Sequence, residues 1–446
     1  MEIFIKIVQV VLSLSILVLC HEFGHFLFAK LFKTRVEKFY LFFDPWFSLF
    51  KFKKGETEYG VGWLPLGGYV KIAGMIDESM DTEQMKQPPK PWEFRSKPAW
   101  QRLLIMLGGV TLNILLAFAI YICVLFTWGD TYLPAKNVEN GVVCDTLFHR
   151  IGLQNGDVIL SLDSVKVEKF YDILPNLLLN RSQSIQVKRA NRTVNLPVPE
   201  TFLAEVLALT ARDPEIRLLA PRRLQDSMYV TDFADYSPAY DAGIRQKDRI
   251  LTINGETFRF YDQFSDALSG YRDQKIEMSV LRGRDTLLFP VQLEHDARLG
   301  IAFASTERWQ LATIRYSLLE SIPAGVRKGI GQLGGYLKQF KLLFTPKSEA
   351  YKSVGGILMI GSVFSGTWNW QLFWELTALI SIMLAVVNIL PIPALDGGHV
   401  LFLLYEIVTG RKPEEKFLEY AQMMGMLLIL GLFLLANIND IFRFFG

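Results

Sequence analysis

The chain has 446 residues, of which 50% are hydrophobic and 21% charged, with a formal net charge of +2. This length suggests about three domain-sized units, and the composition excludes a disordered chain, a collagen and a disulfide miniprotein. The near-neutral charge and the lack of a long basic stripe exclude a broad nucleic-acid surface. The 3 cysteines have no metal-ligand spacing and are too few for a disulfide framework.

The apolar residues are concentrated in four long runs. Since about 20 residues are needed to cross the hydrocarbon core of a bilayer, we predict four spanning helices. The first run continues through the segment that ends at His25, and the fourth needs its flank from Leu418. A cleaved signal peptide is the alternative for the first run, but that run lacks a basic leader and a small-residue cleavage site. The runs are 3–20, 103–128, 372–395 and 423–438.

Lysine and arginine are concentrated in two of the connections, between runs one and two and between runs three and four. Short connections of this kind remain in the cytoplasm. We therefore expect both of them to be cytoplasmic. The long stretch from about 130 to 370 then lies on the other side of the membrane, together with both termini.

A repeat occupies part of that long stretch. Residues 152–163 recur as 243–254, each with a Gly/Asp turn followed by an alternating strand. A short helical stretch and a second alternating strand follow each copy, which predicts two copies of one small α+β domain. Both copies resemble PDZ domains, whose Gly-Leu-x-x-Gly-Asp-x-Ile pattern the first copy matches better, because Lys247 replaces the second glycine. The following stretches are 172–179 and 184–188 in the first copy, and 263–268 and 275–281 in the second.

Residues 309–344 have apolar positions at helical spacing, interrupted at Pro323, and basic residues on the other face. This pattern predicts an amphipathic helix that lies on the membrane surface or packs on the outer domains. A simple connector helix explains the pattern equally well.

The motif His21-Glu22-Phe23-Gly24-His25 lies within the first span. On a helix, His21 and His25 are one turn apart and share a face, so that two imidazoles can bind one ion. Glu22 projects beside them, where it can accept a proton from water that zinc has acidified to a pKa of about 7. Ionisable residues inside a span are costly and usually functional, which favours a metal site over buried structural histidines.

Asp396 ends the third run and is the candidate third ligand. Spans one and three point the same way, so Asp396 and the histidines lie at a similar depth near the cytoplasmic edge. Pro391 and Pro393 prevent a regular helix, and Gly397 and Gly398 allow a tight turn, so we expect the carboxylate on irregular backbone beside a water-containing cavity. The neighbouring His399 is either a partner of a metal ligand or a solvated loop histidine.

These motifs resemble those of the site-2 protease family of intramembrane zinc metalloproteases. The resemblance rests on HEFGH in the first span and on Asn-x-x-Pro-x-Pro-x-Leu-Asp-Gly at the end of the third. It also includes Pro-Leu-Gly-Gly-Tyr-Val after span one, Gly-x-x-x-Asn in span two, and two PDZ-like domains between spans two and three. The ordered set covers nearly the whole chain.

The resemblance implies one zinc ion per chain, held by His21, His25 and Asp396, with Glu22 as the general base. It implies that segment 59–71 forms a membrane-dipping β-hairpin, whose edge strand pairs with an extended substrate. Further residues are implied to line the site or hold substrate: Asn113, Asn388, Pro391, Pro393, Gly67, Gly68 and Tyr69.

Two departures from the family pattern stand out: a Gly-Phe-Gly is absent around 41–46, and Val110 replaces a proline. They concern the starting geometry of the hairpin and not the chemistry.

The expected fold is an α-helical membrane protein with four transmembrane helices, a membrane-dipping β-hairpin and two inserted α+β PDZ-like domains. Segments 1–129 and 372–446 hold helices 1 and 2 and helices 3 and 4, respectively. The expected inserted segments are the PDZ-like domains 130–221 and 222–300 and the amphipathic helical segment 301–371.

The implied activity is cleavage of single-span substrates within or near their membrane segment, in regulated intramembrane proteolysis and envelope stress signalling. The implied substrates are anti-sigma factors after a prior periplasmic cut, and remnant signal peptides. The implied location is the inner membrane, with the PDZ-like domains periplasmic and reading peptide ends or excluding bulky substrates.

A membrane scaffold with a degenerate metal site is one alternative, against which Glu22 argues. An ion transporter is another, against which the lack of an inverted repeat argues.

Overall fold

The computed structural model describes residues 1–75, 87–213, 216–305, 309–343 and 355–445. The chain forms two compact units. The split unit consists of Met1–Asp130 and Ile314–Gly446, and the inserted unit is Thr131–Thr313. Lys86 of the first basic connection and Phe344 of the expected amphipathic helix lie outside the described residues.

The described part of the split unit contains seven helices. Helices are numbered along the whole chain, and α3 to α7 belong to the inserted unit. Four helices of the described residues are long and apolar enough to cross a membrane, which confirms the four predicted spans: Glu2–Leu31, Ala99–Trp128, Trp370–Asn388 and Lys416–Ile441. The seven helices are α1 Glu2–Leu31, α2 Ala99–Trp128, α8 Leu318–Leu343, α9 Ile357–Val363, α10 Trp370–Asn388, α11 Asp396–Thr409 and α12 Glu415–Phe445.

Helices α1 and α2 approach each other closely where Gly24 meets Gly108. A Cβ atom at Gly24 would lie 2.2 Å from the carbonyl oxygen of Gly108, so only glycine permits this contact. In a membrane, apolar side chains gain little free energy by moving from lipid to a protein interface. Small residues instead favour association of helices, because they let the backbones approach closely. The contact lies in the same helical turn as His25 and so brings the histidine motif against α2.

A four-stranded sheet follows α1, in the order β2-β3-β1-β4. Strand β1 therefore lies between β3 and β4, and the predicted hairpin over 59–71 is wrong. Gly62 explains the crossing: a Cβ there would lie 2.1 Å from the carbonyl oxygen of Phe43, so glycine lets the chain pass the end of β1. Strand β4 is nevertheless an edge strand, as predicted. The strands are β1 Val36–Phe43, β2 Phe50–Lys54, β3 Thr57–Val61 and β4 Leu64–Ile72.

The turn after β1 lies where the family pattern has a Gly-Phe-Gly that this chain lacks. Phe42, next to the last residue of β1, and Trp46, in the turn that follows, have φ values of 68° and 73°, in the left-handed region that glycine adopts most readily. Trp63 donates a hydrogen bond to the carbonyl of Pro45 at 2.9 Å, and its ring stacks on Trp46 and Phe47. Aromatic packing therefore holds a turn that glycines would otherwise allow.

Helix α8 continues through Pro323, so the predicted break there is wrong. The proline lies in the second turn of the helix, and the hydroxyl of Ser321 donates to the carbonyl of Leu318 at 2.7 Å. The helix packs on α2, since Cβ atoms at Gly325 and Gly329 would meet Ile122 and Phe118 at 2.5 and 2.4 Å. The ion pair of Lys328 with Glu375, 3.1 Å apart, also joins α8 to α10.

The inserted unit contains two four-stranded sheets of the same topology, β10-β9-β7-β8 and β14-β13-β15-β16. Strand pairs β6–β11 and β12–β17 accompany them. The first part is β5 Asp130–Tyr132, β6 Val142–Cys144, α3 Thr146–Arg150, β7 Val158–Leu162, β8 Val165–Lys166, α4 Ile173–Leu179, β9 Ser184–Arg189, β10 Arg192–Pro197, α5 Phe202–Arg212 and β11 Leu219–Pro221. The second is β12 Met228–Phe233, α6 Pro238–Asp241, β13 Arg249–Ile253, β14 Glu256–Thr257, α7 Tyr261–Ser269, β15 Lys275–Arg282, β16 Asp285–Gln292, β17 Ile301–Ser305 and β18 Ala312–Ile314.

Equivalent contacts in the two copies confirm the predicted repeat. Asp157 is buried and pairs with Arg189 at 2.7 Å, and Asp248 pairs with Arg282 at 2.6 Å. Each arginine also donates to the carbonyl of the glycine that opens its repeat, Gly152 or Gly243 in turn. Each copy has its own apolar core.

Candidate metal centre

His21 and His25 are buried on one face of α1. Nδ1 of His25 lies 2.9 Å from the carbonyl oxygen of Ile105 in α2. Because a carbonyl oxygen only accepts hydrogen bonds, Nδ1 carries the proton and Nε2 keeps its lone pair free. A histidine held in this way is prepared to bind a metal through Nε2.

Asp396 is the first residue of α11 and reaches both histidines. Its Oδ2 atom lies 3.2 Å from Nε2 of His21 and 3.4 Å from Nε2 of His25. The predicted tight turn at Gly397 and Gly398 is wrong, because both residues belong to the first turn of α11. They pack on the non-helical segment 389–395: a Cβ at Gly397 would lie 2.1 Å from the carbonyl oxygen of Leu390. Broken backbone at the prolines, followed by a new helix, thus presents the carboxylate.

The three candidate ligand atoms have the spacing that a zinc ion requires. The two Nε2 atoms are 3.3 Å apart, and Oδ2 of Asp396 lies 3.2 and 3.4 Å from them. Bonds of about 2.0–2.1 Å at tetrahedral angles place ligand atoms about 3.4 Å apart. His, His and Asp also form the only group of its kind among the described residues, and its donor set suits zinc.

Two asparagines contact His21. The Nδ2 atom of Asn388, at the end of α10, lies 3.3 Å from Nε2 of His21. Asn113 of α2 is buried, with its Nδ2 atom 3.3 Å from Nδ1 of His21, while its Oδ1 has no hydrogen-bond partner among the described residues. A half-turn of the Asn113 amide exchanges these two atoms, and Oδ1 would then accept the proton that Nδ1 carries when Nε2 binds a metal.

Glu22 lies between the histidines and the edge strand β4. Its carboxylate accepts a hydrogen bond from the backbone N–H of Val70. Gly68 of β4 lies close to α1. A Cβ atom at this glycine would lie 2.7 Å from Cγ1 of Val18 and 3.5 Å from Cγ of Glu22. The structure thus brings Gly68 to the candidate general base.

The other predicted residues have their described contacts outside the group formed by His21, His25 and Asp396. The hydroxyl of Tyr69 donates to Asp44 at 2.9 Å, and burial together with this bond raises the pKa of the Tyr69 phenol. Gly67 lies against the ring of Phe43. Pro391 and Pro393 belong to segment 389–395. His399 lies inside α11 and is half-buried, so its placement in a loop is wrong.

Two features of the site could not be found from motifs. The carbonyl of Ile105 orients His25, but a backbone group has no sequence signature. Gly109 leaves room for both rings, since a Cβ there would lie 2.5 Å from Nε2 of His25. Its spacing from Asn113, one helical turn, is the signal that places both on one face of α2.

Four apolar helices, together with a His-His-Asp group whose two histidines are buried, define the class of membrane metalloendopeptidases. The model of peptidase family M50 matches residues 9–432. The chain belongs to peptidase family M50, the site-2 protease family, and its cofactor is zinc.

Relatives match over nearly their whole length. The regulator of sigma E protease of Haemophilus influenzae is 27% identical, over 97% of this chain and 98% of its own. Proteins described as zinc metalloproteases are 26% identical in Neisseria meningitidis and 27% identical in Clostridium perfringens, each over 98% of both chains. The family and its spanning helices make this chain a multi-pass membrane protein.

Proposed function

We propose that this chain is an intramembrane endopeptidase that holds one zinc ion on His21, His25 and Asp396. The observation that carries the proposal is the convergence of these three ligand atoms, 3.2 to 3.4 Å apart, beside Glu22. Zinc held there would supply a Lewis acid that lowers the pKa of water and polarises the carbonyl to be attacked. Glu22 accepts the proton of the attacking water and delivers it to the leaving amine.

The neighbouring residues orient these groups. The N–H of Val70 holds the carboxylate of Glu22, and Ile105 and Asn113 hold the two imidazoles. The Asn388 amide lies beside His21, where it can donate to the carbonyl oxygen of a bound peptide.

An extended substrate would pair with the open edge of β4. A helical peptide bond is shielded by its own backbone, so the substrate helix must unwind before cleavage, and an edge strand supplies main-chain partners. Glu22 accepts from Val70 at this strand, so a segment paired along Gly67–Tyr69 would lie next to the general base. Pro391 and Pro393, in the non-helical segment before Asp396, would support the same substrate from the other side.

The proposed substrates are single-span proteins cut within or near their membrane segment: anti-sigma factors already trimmed in the periplasm, and remnant signal peptides. This activity belongs to regulated intramembrane proteolysis in envelope stress signalling. The name of the H. influenzae relative, a regulator of sigma E protease, supports this substrate class.

The repeats of the inserted unit are proposed to be periplasmic PDZ-like domains, 130–221 and 222–300, with the metal centre near the cytoplasmic side of the inner membrane. They would exclude untrimmed substrates by size or read newly exposed ends. Deleting residues 141–293 should then permit cleavage of full-length substrates. Unchanged dependence on prior trimming would show that the repeats do not filter.

The central test compares the parent protein with Glu22→Gln, using a tagged single-span substrate and measuring bound zinc in each. We expect equal zinc and cleavage by the parent alone. Glu56→Gln, at an exposed position in the turn between β2 and β3, is the matched control and should cleave like the parent. Cleavage by Glu22→Gln would end the proposed mechanism, and equal zinc with no cleavage by the parent would favour a scaffold.

A further inference from the structure

A buried ion pair joins α2 to α11 away from the metal centre. Nη2 of Arg102 lies 2.5 Å from Oε1 of Glu406, and the two side chains are 10% and 11% exposed. Nε of the same arginine donates to the carbonyl of Lys97 at 2.9 Å, which fixes the guanidinium. The proposed reaction uses neither charge, so the pair needs another explanation.

The two helices joined by this pair hold opposite sides of the metal centre. Arg102 lies one turn before Ile105, whose carbonyl orients His25. Asp396 opens α11, and Glu406 lies ten residues further along the same helix, about 15 Å at 1.5 Å per residue. Any sliding of α11 along α2 therefore moves Asp396 relative to the histidines.

The apolar contacts between α2 and α11 do not by themselves prevent such sliding. Leu403 packs in a cluster with Ile105 and Met106, and flat apolar contacts tolerate shifts along a helix. A slip of one residue would move Asp396 by about 1.5 Å, whereas metal–ligand distances tolerate only about 0.2 Å. A buried ion pair adds little net stability but accepts one geometry only, which makes it suited to fixing register.

We propose that Arg102 and Glu406 are positioning residues that set the register of α11 against α2, and thereby the place of Asp396 in the zinc site. The inference rests on the proposed function, in which Asp396 is a zinc ligand. The pair acts through Asp396 and touches neither substrate nor metal.

The test replaces both charges at once, because removing one would leave the other buried and unpaired. The variant R102M/E406M keeps side chains of similar length and leaves no orphaned charge. Full-length protein in detergent micelles is titrated with a chromophoric chelator that competes for zinc, and thermal unfolding of the zinc-free form is measured in parallel. We expect an unfolding midpoint close to that of the parent and a zinc Kd raised about tenfold, the lower range for losing outer-sphere support.

A matched control comes from the ion pair between α8 and α10. Nζ of Lys328 lies 3.1 Å from Oε1 of Glu375, in the same unit but with neither residue on α11. The variant K328M/E375M should keep the zinc Kd of the parent. The variant E406D retains the charge on a shorter side chain, so it should fold and raise the zinc Kd by a smaller factor.

The outcomes separate this inference from the proposed function. Parent-like zinc affinity in both R102M/E406M and E406D would overturn the positioning role and leave the pair a structural contact. D396A tests the ligand itself: if it binds zinc as tightly as the parent, the proposed ligand set is wrong. If D396A loses zinc while R102M/E406M keeps it, only the positioning role fails.

Discussion

Gly109 of α2 lies directly against the imidazole of His25, and a Cβ atom at this position would be 2.5 Å from its Nε2. The same atom would lie 2.6 Å from Cε1 of His21. Both rings therefore reach Asp396 only because position 109 has no side chain. This contact makes α2, which supplies no proposed ligand, part of the metal centre.

The substitution Gly109→Ala should accordingly weaken zinc binding. The added methyl group must push one or both rings away, and we expect the zinc Kd to rise at least about tenfold and cleavage to fall about 100-fold or more. Alanine favours a helix over glycine, so the loss would not come from the helix itself. Chelator competition and cleavage of a tagged single-span substrate measure the two effects.

Gly431→Ala is the control, because a Cβ atom at this glycine of α12 would have nothing within 4 Å. It should bind zinc and cleave like the parent. Parent-like zinc affinity in Gly109→Ala would mean that the rings can relax without leaving the site, contrary to the packing described.

Asn113→Leu should also lower zinc affinity, by removing the acceptor proposed for Nδ1–H of His21. Loss of such a hydrogen bond to a metal ligand typically costs 10- to 100-fold in affinity, and we expect an effect of about this size. Leucine has a similar volume, so the cavity is kept while the polar group is removed. The zinc Kd is measured as for Gly109→Ala.

Asn113→Asp distinguishes the hydrogen bond from the packing. It retains an acceptor at the same place and should keep zinc binding closer to that of the parent than Asn113→Leu does. Equal losses in the two variants would show that the amide N–H, and not the carbonyl oxygen, is what the site needs.

Local patterns predicted the parts of this structure that depend on local chemistry. The one-turn spacing of His21 and His25, the apolar runs and the Gly/Asp turns of the repeats are properties of short segments. The meeting of Asp396 with the histidines followed from the direction of two spans, because a spanning helix has little choice of depth.

Contacts between distant segments were where the predictions were wrong or incomplete. The order β2-β3-β1-β4 depends on Gly62 passing the end of β1, and nothing between 57 and 72 distinguishes this crossing from a hairpin. Gly397 and Gly398 allow either a turn or a tightly packed helix start, and the carbonyl of Leu390 decides between them. Helix α8 likewise packs on α2 and continues through Pro323, where the sequence predicted a break.

Gly68→Ala should impair cleavage while leaving zinc bound. The new Cβ would meet Cγ1 of Val18 at 2.7 Å and the carbonyl oxygen of Tyr40 at 2.8 Å, so β4 must shift away from α1. Since β4 is the proposed partner of the substrate and touches no proposed ligand, we expect cleavage to fall about tenfold or more at unchanged zinc Kd.

Gly331→Ala in α8 is the matched control, with nothing within 4 Å of its Cβ position. It should have the cleavage rate of the parent. Loss of zinc from Gly68→Ala would contradict the separation between strand and metal centre, and full activity would remove β4 from the substrate site.

The last prediction concerns the two buried aspartates of the inserted unit. Asp157 and Asp248 are each 1% exposed and pair with Arg189 and Arg282. Neutralising either carboxylate leaves a half-buried arginine without its partner, and we expect a loss of about 2 kcal/mol from the copy concerned. Because the copies have separate cores, Asp157→Asn should lower hydrogen-exchange protection mainly in β7 and β9, and Asp248→Asn mainly in β13 and β15.

Asp273→Asn is the control for this pair of variants, because its carboxylate is 64% exposed and meets His295 only on the surface. A surface ion pair contributes about 0–1 kcal/mol, so protection should change little. Equal loss of protection in both copies from either single substitution would show that the repeats unfold together. The tie would then be the ion pair of Arg222 with Asp262, 2.8 Å apart, which joins the segment between the copies to α7 of the second.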